Sequence, residues 1–167
     1  PGYPSFYYAA DMNFADVLPA LKAKPTVFLA ADSTVQSYTP DEAPLTGWGQ
    51  QLWCCADGAA QCRAGHREGC PFPQETRYTL PALVIDNCAM GGRSSRTFRE
   101  EGRLADIESQ LKPGDYLVVQ FGHNDANPDK PERYVAAADF GASLRPYLEA
   151  ARSRGALLVL VSPIAMR

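Results

Sequence analysis

The sequence predicts an α/β fold built on a central parallel sheet, and three observations carry that expectation. Four apolar runs of strand length and β-branched content recur along the chain. They are nearly continuous rather than alternating, as in strands covered on both faces. Helix-like segments lie between them, and strand–helix alternation implies right-handed crossovers onto one sheet.

The strands are expected at Thr26–Ala31, Ala82–Asn87, Tyr116–Phe121 and Leu157–Ser162. Before the first, Phe14–Lys24 has a helical pattern, with Pro19 as an interruption or a start. Gly47-Trp48-Gly49 opens a second helix running toward Cys55, and Arg99–Lys112 reads as a third that stops at Pro113-Gly114. The fourth is helical from about Ala138 and stopped at Gly155, with Pro146 marking a kink or a first turn.

A length of 167 residues suits one domain with a real core, and 46% hydrophobic with 21% charged residues is ordinary for a globular protein. A net charge of −3 and a pI near 5.4 give no reason to expect nucleic acid or an anionic membrane surface as partner. No apolar run approaches the roughly 18 residues of a membrane span. The first residues lack a signal-peptide pattern, yet the chain opens without Met and closes just after an apolar run. The expectation is a fragment: residues 1–24 a connector or the end of an upstream segment, and 25–167 a domain incomplete at its C-terminus.

Four of the five cysteines (Cys54, Cys55, Cys62, Cys70) lie in a Gly/Ala-rich stretch with little periodicity, and Cys88 ends an apolar run. The odd count argues against a complete disulfide framework. Free thiols in an insertion are the preferred reading. A Cys62–Cys70 disulfide and a Cys62/His66/Cys70 metal set, whose spacing matches no common zinc pattern, are the alternatives. Cys88 reads as a small buried residue.

Ligands of parallel α/β sheets sit at the carboxyl ends of the strands. There the chain has Asp32-Ser33-Thr34, then Asn87 to Phe98, then Gly122 to Arg133, then Ser162-Pro163. Singly these are turns, caps and solvated charges. On one edge they are complementary. Ser33 is a candidate nucleophile, and a weak one without a base and an anion-stabilising pocket. Its own amide, a backbone amide in Gly91-Gly92, and the neutral side chain of Asn124 could supply that pocket.

The order and spacing of these blocks resemble the SGNH (GDSL-like) hydrolases, most nearly the rhamnogalacturonan acetylesterases. The matching residues are Ala31-Asp32-Ser33-Thr34, Gly47-Trp48-Gly49, Asn87-Cys88-Ala89-Met90-Gly91-Gly92-Arg93-Ser94-Ser95-Arg96-Thr97-Phe98, Glu101-Gly102-Arg103, Gly114-Asp115-Tyr116 and Phe121-Gly122-His123-Asn124-Asp125. The resemblance spans about Pro25 to Arg167 and departs in the first block, where Ala31 replaces a glycine. It implies a three-layer α/β/α sandwich of flavodoxin-like type, with Ser33 as nucleophile. It also implies Gly92 and Asn124 as oxyanion-hole donors beside the Ser33 amide, and Asp32 as a support of the turn. The lipase-type Gly-x-Ser-x-Gly elbow is absent.

The family's catalytic base is a histidine in an Asp-x-x-His element near its C-terminus. This chain has two histidines, His66 in the cysteine-rich stretch and His123 in the Gly-His-Asn-Asp block, and neither has that context. The catalytic Asp and His are therefore expected outside these residues. The implied function is a serine esterase that removes O-acetyl groups from a plant cell-wall polysaccharide of rhamnogalacturonan type, with no metal or organic cofactor. Two alternatives stand: an acyl hydrolase acting on lipid or thioester, and a non-catalytic carbohydrate-binding protein if the chain ends at Arg167. Compartment stays open, since a polysaccharide substrate favours secretion and an odd cysteine count a reducing interior.

Overall fold

The four apolar runs form four parallel strands in a computed structural model of the chain, which describes residues 24–165. The strands are β1 (Thr26–Ala31), β4 (Val84–Asn87), β5 (Tyr116–Gln120) and β6 (Leu157–Leu160). Two more, β2 (Arg63–Gly65) and β3 (Thr76–Thr79), come from the cysteine-rich stretch and its sequel. The sheet order is β2-β3-β4-β1-β5-β6, with β3 antiparallel to both β2 and β4. The sheet is thus mixed rather than purely parallel. The sequence conceals this edge because β2 is exposed at all three residues and β3 is only partly buried, so neither carries an apolar run.

The continuous apolar character of β1 reflects two cores. Phe28 and Ala30 face Phe98, Leu104, Ile107, Tyr147 and Ala151 on one side of the sheet. Leu29 and Ala31 face Val35, Tyr78, Leu80 and Ile85 on the other, with Trp48 and Trp53 packed against them. Phe98 meets Phe121 edge-on at 5.3 Å between ring centroids, and Tyr147 lies 5.5 Å from Phe121. Cys88 is buried, and burial pushes its thiol well above the ordinary value. Strand β6 is last in the order among the described residues, beside β5, and there Leu157, Val159 and Leu160 are exposed.

The helices are α1 (Trp48–Gln51), α2 (Ser95–Glu100), α3 (Arg103–Gln110) and α4 (Phe140–Ser153). The predicted second helix is one turn that tightens into a 3-10 turn at Leu52–Cys55. The predicted single helix over Arg99–Lys112 is two helices, broken at Gly102, whose φ of +80° is a left-handed conformation. Helix α4 starts at Phe140 and holds Pro146 in its interior. The helical reading of Phe14–Lys24 and the connector reading of 1–24 lie outside the described residues, Lys24 apart. No helix among the described residues is long and apolar enough to cross a membrane.

Helix α1 lies hard against the turn that follows β1. A Cβ at Gly49 would stand 2.5 Å from the Val35 carbonyl oxygen and 2.8 Å from Leu29 Cδ1, and one at Gly47 2.4 Å from the Gln36 carbonyl oxygen. Backbone on one side and core on the other leave no room to yield. Gly49→Ala is expected to lower stability by roughly 1–3 kcal/mol, the usual range for overpacking, read as a fall in Tm. An unchanged Tm would show that the segment shifts freely.

Candidate active site

β1 delivers Asp32-Ser33-Thr34 to the carboxyl edge of the sheet, and Asp32 shapes the turn there. Its buried Oδ1 accepts hydrogen bonds from Thr34 N (2.9 Å) and Thr34 Oγ1 (2.8 Å), while its carbonyl accepts from Val35 N and Gln36 N at 3.2 Å. This aspartate turn leaves the Ser33 side chain out of the local bonding. Ser33 is half-buried, its carbonyl accepts from Tyr38 Oη at 2.8 Å, and its hydroxyl has no hydrogen-bond partner among the described residues.

A second brace reaches this turn from α1. Trp48 N donates to Thr34 O (2.9 Å), and Trp48 Nε1 donates to Gln120 Oε1 (2.7 Å). Gln120 Nε2 in turn donates to Thr34 Oγ1 (3.1 Å), which closes a chain from helix to strand to turn. The Gly-Trp-Gly block is therefore a clamp on the turn that carries Ser33.

The segment after β4 is tied to β1 and carried across to Ser33. Cys88 N donates to Leu29 O and Met90 N to Ala31 O, and Asn87 Nδ2 donates to Val35 O at 2.8 Å. Gly91 then packs on the serine, since a Cβ placed there would lie 3.4 Å from Ser33 Cβ. The Gly91 amide donates to Gln36 Oε1 at 2.5 Å. Gly92 follows with φ +78°. Among the described residues, neither the Gly92 amide nor the Ser33 amide donates to a protein acceptor.

Asn124, on the loop after β5, donates from Nδ2 to Arg93 O at 2.8 Å, directly beside Gly92. A side-chain amide carries two N–H donors, so one remains after this bond. Arg133 Nη1 donates to the Gly92 carbonyl at 3.2 Å from the far end of the same loop. Asp125 anchors the loop: its buried Oδ1 accepts from Ser95 N (3.0 Å) and Ser95 Oγ (2.5 Å) at the start of α2. Burial raises the Asp125 carboxyl above its ordinary value, against the lowering effect of the Ser95 hydrogen bonds.

Asp32, Ser33, Gly92 and Asn124 thus lie in three loops on one edge, joined through Gly91 and Arg93. Gln36, Gln120, Trp48 and Arg133 complete the scaffold, and only Trp48 stood out in the sequence, through its motif. His123 lies with Nδ1 3.7 Å from Asp32 Oδ2 and Nε2 2.5 Å from Ile164 O. His66 sits in the loop between β2 and β3. Gly114-Asp115-Tyr116 belongs to the opposite edge, where Asp115 Oδ1 accepts from Thr26 N at 2.8 Å and binds Lys112 Nζ. A depression of about 480 Å³ lined by Arg96, Arg99, Tyr134 and Asp139 borders the Asn124 loop without including Ser33.

Known proteins share this arrangement of sequence. The chain is 39% identical over 140 residues to the probable rhamnogalacturonan acetylesterase YesY of Bacillus subtilis, across 83% of this chain and 54% of that protein. It is 36% identical over 141 residues to rhamnogalacturonan acetylesterase RhgT of the same organism, across 84% of this chain and 50% of that one. It therefore spans about half the length of the curated relatives it matches. The crystal structure of B. subtilis YxiM, named an uncharacterized esterase, superposes with a TM-score of 0.64 at 30% identity, across 84% of this chain and 33% of that one. No protein-family model matches the chain. In its block order and its α/β sheet the chain is homologous to rhamnogalacturonan acetylesterases and to the esterase YxiM, consistent with the SGNH hydrolase superfamily.

Proposed function

We propose that the protein is a serine esterase that removes O-acetyl groups from a pectin-type polysaccharide of the rhamnogalacturonan class, with Ser33 as its nucleophile. One observation carries the reading: Ser33, whose hydroxyl and amide have no protein partner among the described residues, packs on Gly91, and the next residue offers a second amide without an acceptor in a loop that Asn124 anchors with a donor to spare. Donors fixed before the reaction and aimed where charge develops are the main source of acyl-transfer catalysis. That the Gly91 amide is taken up by Gln36 favours Gly92 as the backbone donor of the second loop.

In this reaction Ser33 Oγ attacks the acetyl carbonyl carbon while its proton passes to a histidine base. The resulting oxyanion is held by the Ser33 amide, the Gly92 amide and Asn124 Nδ2. Collapse expels the sugar oxygen, which takes the proton back from the imidazole and leaves an acetyl-serine. Water, deprotonated by the same base, hydrolyses that ester and releases acetate. The base in this reading belongs to an Asp-x-x-His element outside this sequence, as the family resemblance implies, and Asp32 positions the turn. The substrate class rests on the names of YesY and RhgT.

Acetate release from acetylated rhamnogalacturonan oligosaccharides tests the proposal in the intact protein. The expected result is release that a fluorophosphonate abolishes by labelling Ser33. Preference for long-chain acyl esters would reassign the protein to lipid or thioester hydrolysis. No labelling and no release from any ester would leave a carbohydrate-binding role.

A further inference from the structure

The loop between β2 and β3 gathers three donor side chains that play no part in the chemistry above. His66, Cys70 and Glu75 each bring one ligand atom, and these atoms lie within 4.8 Å of one another. The set differs from the Cys62/His66/Cys70 series that the even spacing suggests, because Glu75 takes the place of Cys62. Because Thr76 pairs with Asn87, the loop lies at the same edge of the sheet as Ser33, with β4 between the loop's strand β3 and β1.

We propose that His66, Cys70 and Glu75 form a binding site for a zinc-like divalent transition-metal ion, independent of the esterase chemistry. Imidazole, thiolate and carboxylate form a mixed N/S/O set that suits borderline-soft Zn²⁺ and suits the hard cations Mg²⁺ and Ca²⁺ poorly. With the usual bond lengths, a tetrahedral ion holds its ligand atoms about 3.3–3.6 Å apart. His66 Nδ1 already stands 2.7 Å from Glu75 Oε2, so an ion would part these two and draw the thiol in by about an ångström. The fourth position falls to water, as His66 is exposed on the loop surface.

Charge at the site supports the same reading. Arg67 pairs with both Asp86 and Asp106, and Arg77 Nη2 lies 2.7 Å from Asp86 Oδ2. Glu75 pairs with no guanidinium among the described residues, although its side chain is fully buried. One of its oxygens receives Arg67 N (2.9 Å) and His66, while Oε1 has no hydrogen-bond partner among the described residues. A buried carboxylate with one oxygen unmet calls for positive charge. A bound cation supplies that charge and fastens the loop to the sheet edge.

Cobalt and zinc titrations of the intact, reduced and chelator-stripped protein decide the matter. Co²⁺ is expected to give a near-ultraviolet thiolate charge-transfer band and the intense visible bands of a tetrahedral ion, both discharged by one equivalent of Zn²⁺. Cys70→Ser is expected to abolish the charge-transfer band. His66→Ala, with its Tm measured alongside because it also removes a partner of buried Glu75, is expected to weaken Zn²⁺ binding beyond the 10–100-fold typical of losing a supporting outer partner. Both signals are expected to survive the joint replacement of Cys54, Cys55 and Cys62 by serine. No thiolate band, a band that persists in Cys70→Ser, or one lost with the other three cysteines would overturn the site. So would a Cys62–Cys70 disulfide in the protein as its host makes it.

Discussion

Ser33→Ala is expected to reduce turnover of an acetyl ester by about 10⁴-fold or more in the intact protein while leaving its Tm nearly unchanged. The two halves of this expectation have separate sources. The turn at the end of β1 is held by the Asp32 carboxylate, by Thr34 and by the Trp48–Gln120 clamp, none of which uses the serine hydroxyl. Removing a half-buried hydroxyl without a hydrogen-bond partner therefore exposes no unsatisfied group and opens no large cavity. The chemistry, in contrast, has no substitute at that point, since the Cβ of alanine cannot form an acyl intermediate. Stopped-assay acetate release from purified wild type and variant, alongside thermal unfolding, gives both readings. Activity within tenfold of wild type would sink the nucleophile assignment. A collapse in Tm would instead make the hydroxyl part of the fold.

The strands most legible in the sequence were those with side chains packed on both faces. Phe28 and Ala30 enter one core and Leu29 and Ala31 the other, so β1 reads as an unbroken apolar word. The hairpin β2–β3 had no such signature, because an exposed edge strand needs only backbone pairing and tolerates Arg-Ala-Gly or Thr-Arg-Tyr-Thr. The break between α2 and α3 turns on one glycine whose left-handed φ is a tertiary choice, as glycine also occurs within helices. At the candidate site, the Ser33, Gly91-Gly92 and Asn124 blocks were legible as neighbours at successive strand ends, and the choice of Gly92 came from the family resemblance. Gln36, Gln120 and Arg133 were not legible, since their roles are contacts across about 40 to 90 residues of chain and nothing local marks them. Glu75 was hidden for the same reason, as only the fold of its loop brings it to His66 and Cys70.

Asn124→Ala is expected to cost about 10²–10³ in kcat with little change in KM, the usual result of deleting one oxyanion-hole donor. The amide has two duties, and the experiment separates them. One N–H holds the Arg93 carbonyl at 2.8 Å and so fixes the Gly92 loop against the Asn124 loop. Loss of that bond alone is worth about 1 kcal/mol of stability and lowers Tm by a few degrees. The other N–H has no protein partner among the described residues, and in the proposed mechanism it gains a full partner only when the carbonyl oxygen becomes an oxyanion. An interaction made only in the transition state appears in kcat rather than in KM. Asn124→Asp sharpens the contrast, because an ionised carboxylate donates no hydrogen bond and adds a negative charge where negative charge develops. Its loss of kcat is therefore expected to exceed that of the alanine variant, although aspartate matches asparagine in size. If both variants lower Tm and leave kcat intact, Asn124 is a strut between two loops and the oxyanion is held elsewhere.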